Sequence, residues 1–257
     1  MHAIRPIIAV IAAAGLGTAG LGTAGCSFSY AQAGSSSAAV AASRNWAGYV
    51  ATGTRFRQVS AQFTVPSVNC AQAAGAGPGG VSFWVGLGGY DGVTLGQDGV
   101  AAVCILGKAR YYAWHENLPA GEVELPGFAV SPGDSVTASV SYHPTARTFT
   151  FRLVNNSTGQ RGRWQGRCPP RKVCATSAEV ITESAKFAGK ITQLADYGAA
   201  VYVNIAVADR AGARSGLISE HWTTTEVAQE HNGSQIDVPG PARAGGRAFT
   251  TTWVRAR

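Results

Sequence analysis

The chain has 257 residues, a formal charge of +7 from 21 basic and 14 acidic side chains, and only 14% charged residues, against roughly 25% in an ordinary soluble domain. Its basic excess comes without a Lys/Arg run: Arg161, Arg163, Arg167 and Arg171 are spread over one loop-rich stretch, which reads as a solvated surface and excludes nucleic acid as a partner. With so few carboxylates to protonate, the composition suits acidic surroundings.

Residues 1–33 read as an export signal. Arg5 is the sole charge before Arg44, Ile7 to Ala14 is an apolar core, and Ala31-Gln32-Ala33 fits a small-x-small cleavage site. The apolar run is too short for stable membrane insertion. Thr23-Ala24-Gly25-Cys26 faintly matches a lipid-attachment site, but Thr23 stands where leucine is expected. Cleavage after Ala33 is favoured, giving a secreted, extracellular protein, with lipid anchoring at Cys26 the minor alternative. Without the leader the formal charge falls from +7 to +6, because Arg5 leaves and no acid does. About 220 residues remain, enough for one large all-β domain.

Residues 34–44 read as a short linker of small residues. From residue 45 to the C-terminus, 45–257, strands and turns follow. Trp46–Thr52 and Phe56–Val65 come first, the second ended by Pro66. Ser82 to Val100, SFWVGLGGYDGVTLGQDGV, is an apolar strand, a glycine-rich turn and a second strand carrying one uncharged amide, Gln97. Alternation puts Trp84, Gly86 and Gly88 on one face and Phe83, Val85 and Leu87 on the other. Val100–Leu106 and Ala109–His115 follow, then a Pro132-Gly133-Asp134 turn, and Val136–Tyr142 with Thr148–Val154 alternate as a hairpin pair. Asn155 to Gly159 is the next turn; its Asn-x-Ser/Thr triplets, like Asn232-Gly233-Ser234, are read as turn chemistry. Ala178–Glu183, Ala199–Ala208 and Phe249–Val254 complete the strands, with no helical periodicity and no internal repeat. The fold class expected is all-β, an antiparallel two-sheet sandwich.

Cys26 leaves with the signal, so Cys70, Cys104, Cys168 and Cys174 remain, an even set in an exported chain with three possible pairings. Cys168–Cys174, across a short Pro-Pro loop, and Cys70–Cys104, beside the Ser82–Val100 stretch, are favoured. No histidine has ligand spacing to these cysteines, so no metal is expected, and no cofactor.

There is no HExxH, no Gly-x-Ser-x-Gly, and no Asp-Thr-Gly or Asp-Ser-Gly. Most acids sit beside turn residues. Within strands stand Glu116, which shares a face with Tyr112 and Trp114, and Glu179 and Glu183, which share one with Ile181. Acids on strands usually face solvent.

Asn45-Trp46-Ala47-Gly48, Phe63-Thr64-Val65-Pro66-Ser67, Trp84-Val85-Gly86-Leu87, Gln97-x-Gly99, Tyr112-Ala113-Trp114-x-Glu116 and Ala178-Glu179-x-Ile181-x-Glu183 resemble, in this order, the motifs of the glutamic peptidases, the eqolisin family. The resemblance spans about Asn45 to Trp253. It implies a lectin-like (concanavalin A-like) sandwich with a groove on its concave face, and a pepstatin-insensitive acid endopeptidase acting on polypeptides as a monomer. It also implies a dyad of Gln97 and Glu183, with Trp84, Trp114 and Glu116 lining the groove. The chemistry is sound: Glu183 can take a proton from water and return it to the leaving amine. The Gln97 amide can donate to the oxyanion, a contribution on the order of 3 kcal/mol, and it stays neutral beside a carboxylate.

The chain departs from the family at Gly88, where an aspartate is usual, at Asp98, which puts a new charge after Gln97, and at Val180, where an aromatic is usual. These departures keep open a catalytically impaired peptide- or carbohydrate-binding module. A paired-carboxylate glycosidase is the other rival; Glu179 and Glu183, about 13 Å apart along one strand, are too distant for it, whereas Glu116 with Glu183 is not excluded.

Overall fold

The computed structural model describes residues 40–71, 79–90, 94–184, 186–187 and 190–256; the export signal, Cys26 and Asp91 lie outside them. In chain order the first strands are β1 (Val40–Ser43), β2 (Trp46–Thr52), β3 (Phe56–Thr64), β4 (Gly79–Leu87), β5 (Gly96–Ile105), β6 (Lys108–Asn117) and β7 (Val123–Glu124). Next come β8 (Ser135–His143), β9 (Thr148–Asn155), β10 (Arg161–Arg167), β11 (Ala178–Glu183), β12 (Lys186–Phe187), β13 (Lys190–Ile191) and β14 (Gln193–Leu194). The last are β15 (Ala199–Asp209), β16 (Arg214–Ser215), β17 (Thr223–His231), β18 (Ser234–Pro239) and β19 (Phe249–Trp253). Among the described residues there is no α-helix, and none is long and apolar enough to cross a membrane.

The strands form two layers. The front layer runs β1-β17-β2-β11-β4-β5-β6-β7, antiparallel except for the β1–β17 pair, and the short β14 adds a parallel pairing to the start of β4. The back layer runs β18-β19-β15-β3-β8-β9-β10, antiparallel throughout. The β17–β18 hairpin carries the chain from one layer to the other. Period-2 alternation explains the core: Phe83, Val85 and Leu87 of β4 meet Phe63 of β3, Val140 of β8 and Phe149 and Phe151 of β9, all buried between the layers. Phe63 packs on Phe83, and Tyr49 edge-on against Phe249, across the layers. Val180 points into this core, away from the face of Glu183.

Three stretches differ from expectation. Val40–Ser43, expected within a linker, is β1: it pairs with Glu226–Gln229, and Ser43 Oγ accepts from the backbone N–H of Trp46 at 3.1 Å. The segment expected to break near Val100 is one strand from Gly96 to Ile105, because Gly99 lets β5 lie close to β4; a Cβ there would sit 2.2 Å from the Phe83 carbonyl oxygen. Arg161–Arg167, read as loop-rich, is edge strand β10, with arginines outward and Trp164 against the core. Both favoured disulfides, Cys70–Cys104 and Cys168–Cys174, are present.

Candidate active site

The outer face of the front layer carries a second, smaller cluster: Val50, Trp84, Leu95, Trp114, Ile181 and Val227 are buried there although they point away from the main core. Large apolar side chains sunk into the outer face of a sheet make a walled floor. The candidate site residues stand on it in register. Glu183 of β11 is level with Trp46 of β2 and Ser82 of β4. Ile181, Trp84, Gly99 and Trp114 form the next row, and Glu179, Gly86, Gln97 and Glu116 the one after.

Trp84 is the pivot. Its ring is fully buried, edge-on to Trp46 with centroids 5.1 Å apart. Its Nε1–H donates to Glu183 Oε2 at 2.9 Å. Its other edge lies over Gly86, where an added Cβ would come within 2.9 Å of Trp84 Cζ3 and 3.3 Å of Gln97 Cβ. The missing side chain at position 86 is therefore what lets the indole lie flat beside Gln97. Asn45 Nδ2 donates to the second oxygen of Glu183. A carboxylate held by donors on both oxygens has its orientation fixed. Gln97 is 5% exposed, and its Nε2 donates to Glu116 Oε2. A primary amide has two N–H groups, so this bond orients Gln97 and leaves its second N–H for another acceptor. Gln97 Oε1 and Trp114 Nε1 are buried without a hydrogen-bond partner.

The structure thus joins Trp84 to Glu183 and Gln97 to Glu116, with the indole of Trp84 between the two pairs. Gln97 is level with Gly86 and Glu183 with Ser82, an offset of about 13 Å along β4. Glu179 is nearer in register to Gln97, but it is fully buried and accepts from Ser177 Oγ. Glu183 is half-buried. Asn45 and Trp46 complete the surroundings of Glu183; their only sequence signal is the Asn-Trp-Ala-Gly motif at the start of β2.

Two of the departures take a different meaning in three dimensions. Asp98 does not place a charge beside Gln97: it points the other way, fully buried between the layers, with neither carboxyl oxygen in a well-formed hydrogen bond. Burial pushes its carboxyl well above the ordinary range, offset only in part by the backbone of Arg152 and Ser139, which favours the uncharged form. His115, level with it on β6, stacks on Phe151, and burial lowers its pKa. Gly88 has φ +88°, and a Cβ there would lie 2.4 Å from the Thr94 carbonyl oxygen. This turn admits no aspartate at position 88.

Residues 44–240 match the profile of the peptidase A4 family. The chain is 30% identical over 185 residues to aspergillopepsin-2 of Aspergillus niger, covering 63% of each. It is 32% identical over 143 residues to scytalidopepsin B of Scytalidium lignicola, covering 54% of this chain and 51% of that protein. It therefore spans somewhat less than two thirds of the first relative's length and about half of the second's. Among solved structures, scytalido-glutamic peptidase with a transition state analog inhibitor superposes with a TM-score of 0.69 at 23% identity, covering 82% of this chain and 98% of that one. At that identity the likeness establishes the sandwich fold.

Proposed function

The chain belongs to the peptidase A4 (eqolisin) family, and from that premise we propose that it is an endopeptidase using Gln97 and Glu183 on polypeptide substrates. The observation that carries the reading is the half-buried Glu183 carboxylate, oriented by Trp84 and Asn45 on the same face as an amide, Gln97, that has an N–H to spare. A peptide passing above the row of buried indoles, between Glu183 and Gln97, would put its scissile carbonyl between the two. Glu183 takes a proton from a water, whose oxygen bonds to the carbonyl carbon. Gln97 donates to the oxygen that becomes negative. Glu183 then passes the proton to the amide nitrogen, the C–N bond breaks, and an acid and an amine leave. Glu116 positions Gln97, and Trp84 and Trp114 form the floor under the substrate backbone. Secretion fits the two disulfides.

The test uses purified protein and denatured casein from acid to neutral pH with pepstatin present. Cleavage that persists with pepstatin and falls at least about 100-fold in both Gln97→Ala and Glu183→Gln, with Tm retained, supports the reading. Cleavage surviving the Glu183 change, or release of sugar from polysaccharide instead, overturns it.

A further inference from the structure

The outer face of the back layer has a composition unlike the rest of the molecule. On edge strand β10, Arg161, Arg163, Gln165 and Arg167 are exposed while Gly162, Trp164 and Gly166 turn inward. Arg163 lies beside Arg152 of β9, and that row continues through Ser139 and Ser60 to Ala206 of β15. The neighbouring row runs Gln165, Thr150, Ser141, Gln58, Ala208 and Arg214. Neither row carries a carboxylate or an aromatic ring. Thr150 Oγ1 is buried in this floor without a hydrogen-bond partner.

At the far end the face is concave. Two adjoining hollows, of about 250 and 280 Å³, share Gln58, Ala208 and Arg214 and are rimmed by Arg57, Arg210 and Arg247. The one acid in them, Asp209, is held by the backbone N–H groups of Gly212 and Ala213 at 2.8 Å each. The face is therefore a floor of hydroxyls, amides and methyls between two arginine rims. From β10 to β16 there are five strand spacings, about 24 Å.

We propose that this face binds a linear polyanion built of phosphate groups, long enough to touch both rims. Guanidinium forks match phosphate oxygens in pairs. A small anion reaches one rim only, whereas a chain held at one rim is presented to the other at high effective concentration. The charges must persist in the acid surroundings to which the composition points. Phosphate diesters and anhydrides keep them, whereas carboxylate polymers titrate near pH 4. The two rows carry no aromatic ring and the hollow offers only His143 and the edge of Tyr142, so successive nucleobases find no run of rings to stack on, and the chain recognised is one without bases. The active-site groove lies on the opposite layer, facing away from the bound polymer.

Long-chain inorganic polyphosphate and tripolyphosphate serve as probes, titrated into the full mature protein at acid pH and low salt. The long chain binds at least about tenfold more tightly than tripolyphosphate. Arg152→Gln/Arg161→Gln/Arg163→Gln at one rim, or Arg57→Gln/Arg210→Gln/Arg214→Gln at the other, abolishes that advantage. The control Lys108→Gln/Lys190→Gln/Arg255→Gln, of equal charge change away from both rows, costs no more than about twofold. All three sets keep wild-type casein hydrolysis and Tm, so the surface and the dyad are judged separately. Equal losses in rim and control sets, equal affinity for short and long chains, or tighter binding of heparin than of long polyphosphate would overturn the proposal.

Discussion

Asp237 gives the sharpest test of how this fold depends on pH. It is fully buried on β18, its Oδ1 accepts from the Tyr197 hydroxyl at 2.6 Å, and its Oδ2 has no hydrogen-bond partner. Burial raises its pKa from 3.8 to about 8, partly offset by bonds from Tyr197 and the backbone of Val238. A carboxyl whose folded pKa lies above its unfolded value binds more protons in the folded state between the two. Stability is then complete below about pH 4 and declines as pH rises through about 8. With an unfolded value near 3.9, the loss by pH 7 is about 4 kcal/mol, a large part of a normal folding free energy. Asp237→Asn removes this titration. The asparagine keeps an acceptor for Tyr197 but buries an unpartnered NH2, at about 1–3 kcal/mol. The variant is thus less stable than wild type at pH 4 and more stable at pH 8. In a chain of this size each kcal/mol moves Tm by about 2–4 °C, so scans at pH 4, 6 and 8 resolve the crossing. A Tm difference that does not change sign or size with pH refutes the reasoning.

Two other changes probe the site. Trp84→Phe keeps most of the packing but removes the Nε1–H donor to Glu183; kcat on casein falls about tenfold, the equivalent of one charge-assisted hydrogen bond, and a variant with unchanged kcat rules out the indole as an orienting group. Gly88→Asp, which restores the family's usual carboxylate, meets the Thr94 carbonyl oxygen and destabilises by more than about 1 kcal/mol; urea unfolding measures it, and a variant at least as stable and more active overturns the account of that turn.

How far the sequence anticipates this molecule depends on what each strand faces. β8 and β9 alternate apolar with polar because each has one face in the core and one in solvent, so period-2 patterning finds them. β10 alternates as well, but its inward positions are Gly162, Trp164 and Gly166, and two glycines hide the pattern. β17, Thr-Thr-Thr-Glu-Val-Ala-Gln-Glu-His, lies at the groove side of the front layer, where a polar strand is partly buried on both faces, and no alternation survives. β1 is four residues of small side chains whose strand character comes from pairing with β17. For the site, the motifs pick out Gln97, Glu183, Trp84, Trp114 and Glu116. They do not disclose that Trp84 stands between Gln97 and Glu183, or that Glu179 is sealed while Glu183 is half-buried. Asp98 could be read only as an extra charge, because the side of β5 it faces follows from where the second layer lies.

The distribution of charge ties these observations together. Among the described residues, the outer side of the front layer carries Glu116, Glu124 and Glu183, while the back layer carries Arg57, Arg152, Arg161, Arg163 and Arg214 outward. Between the layers lie carboxyls such as Asp98 and Asp237, held neutral by burial. The guanidinium groups keep their charge as pH falls. Self-repulsion among the arginines then opposes folding, and the protonated interior carboxyls offset it. Toward neutral pH the unfolded chain gains by ionising these carboxyls while burial keeps them protonated in the fold, and stability falls. The buried carboxyls Asp98 and Asp237 therefore stabilise the fold toward acid pH.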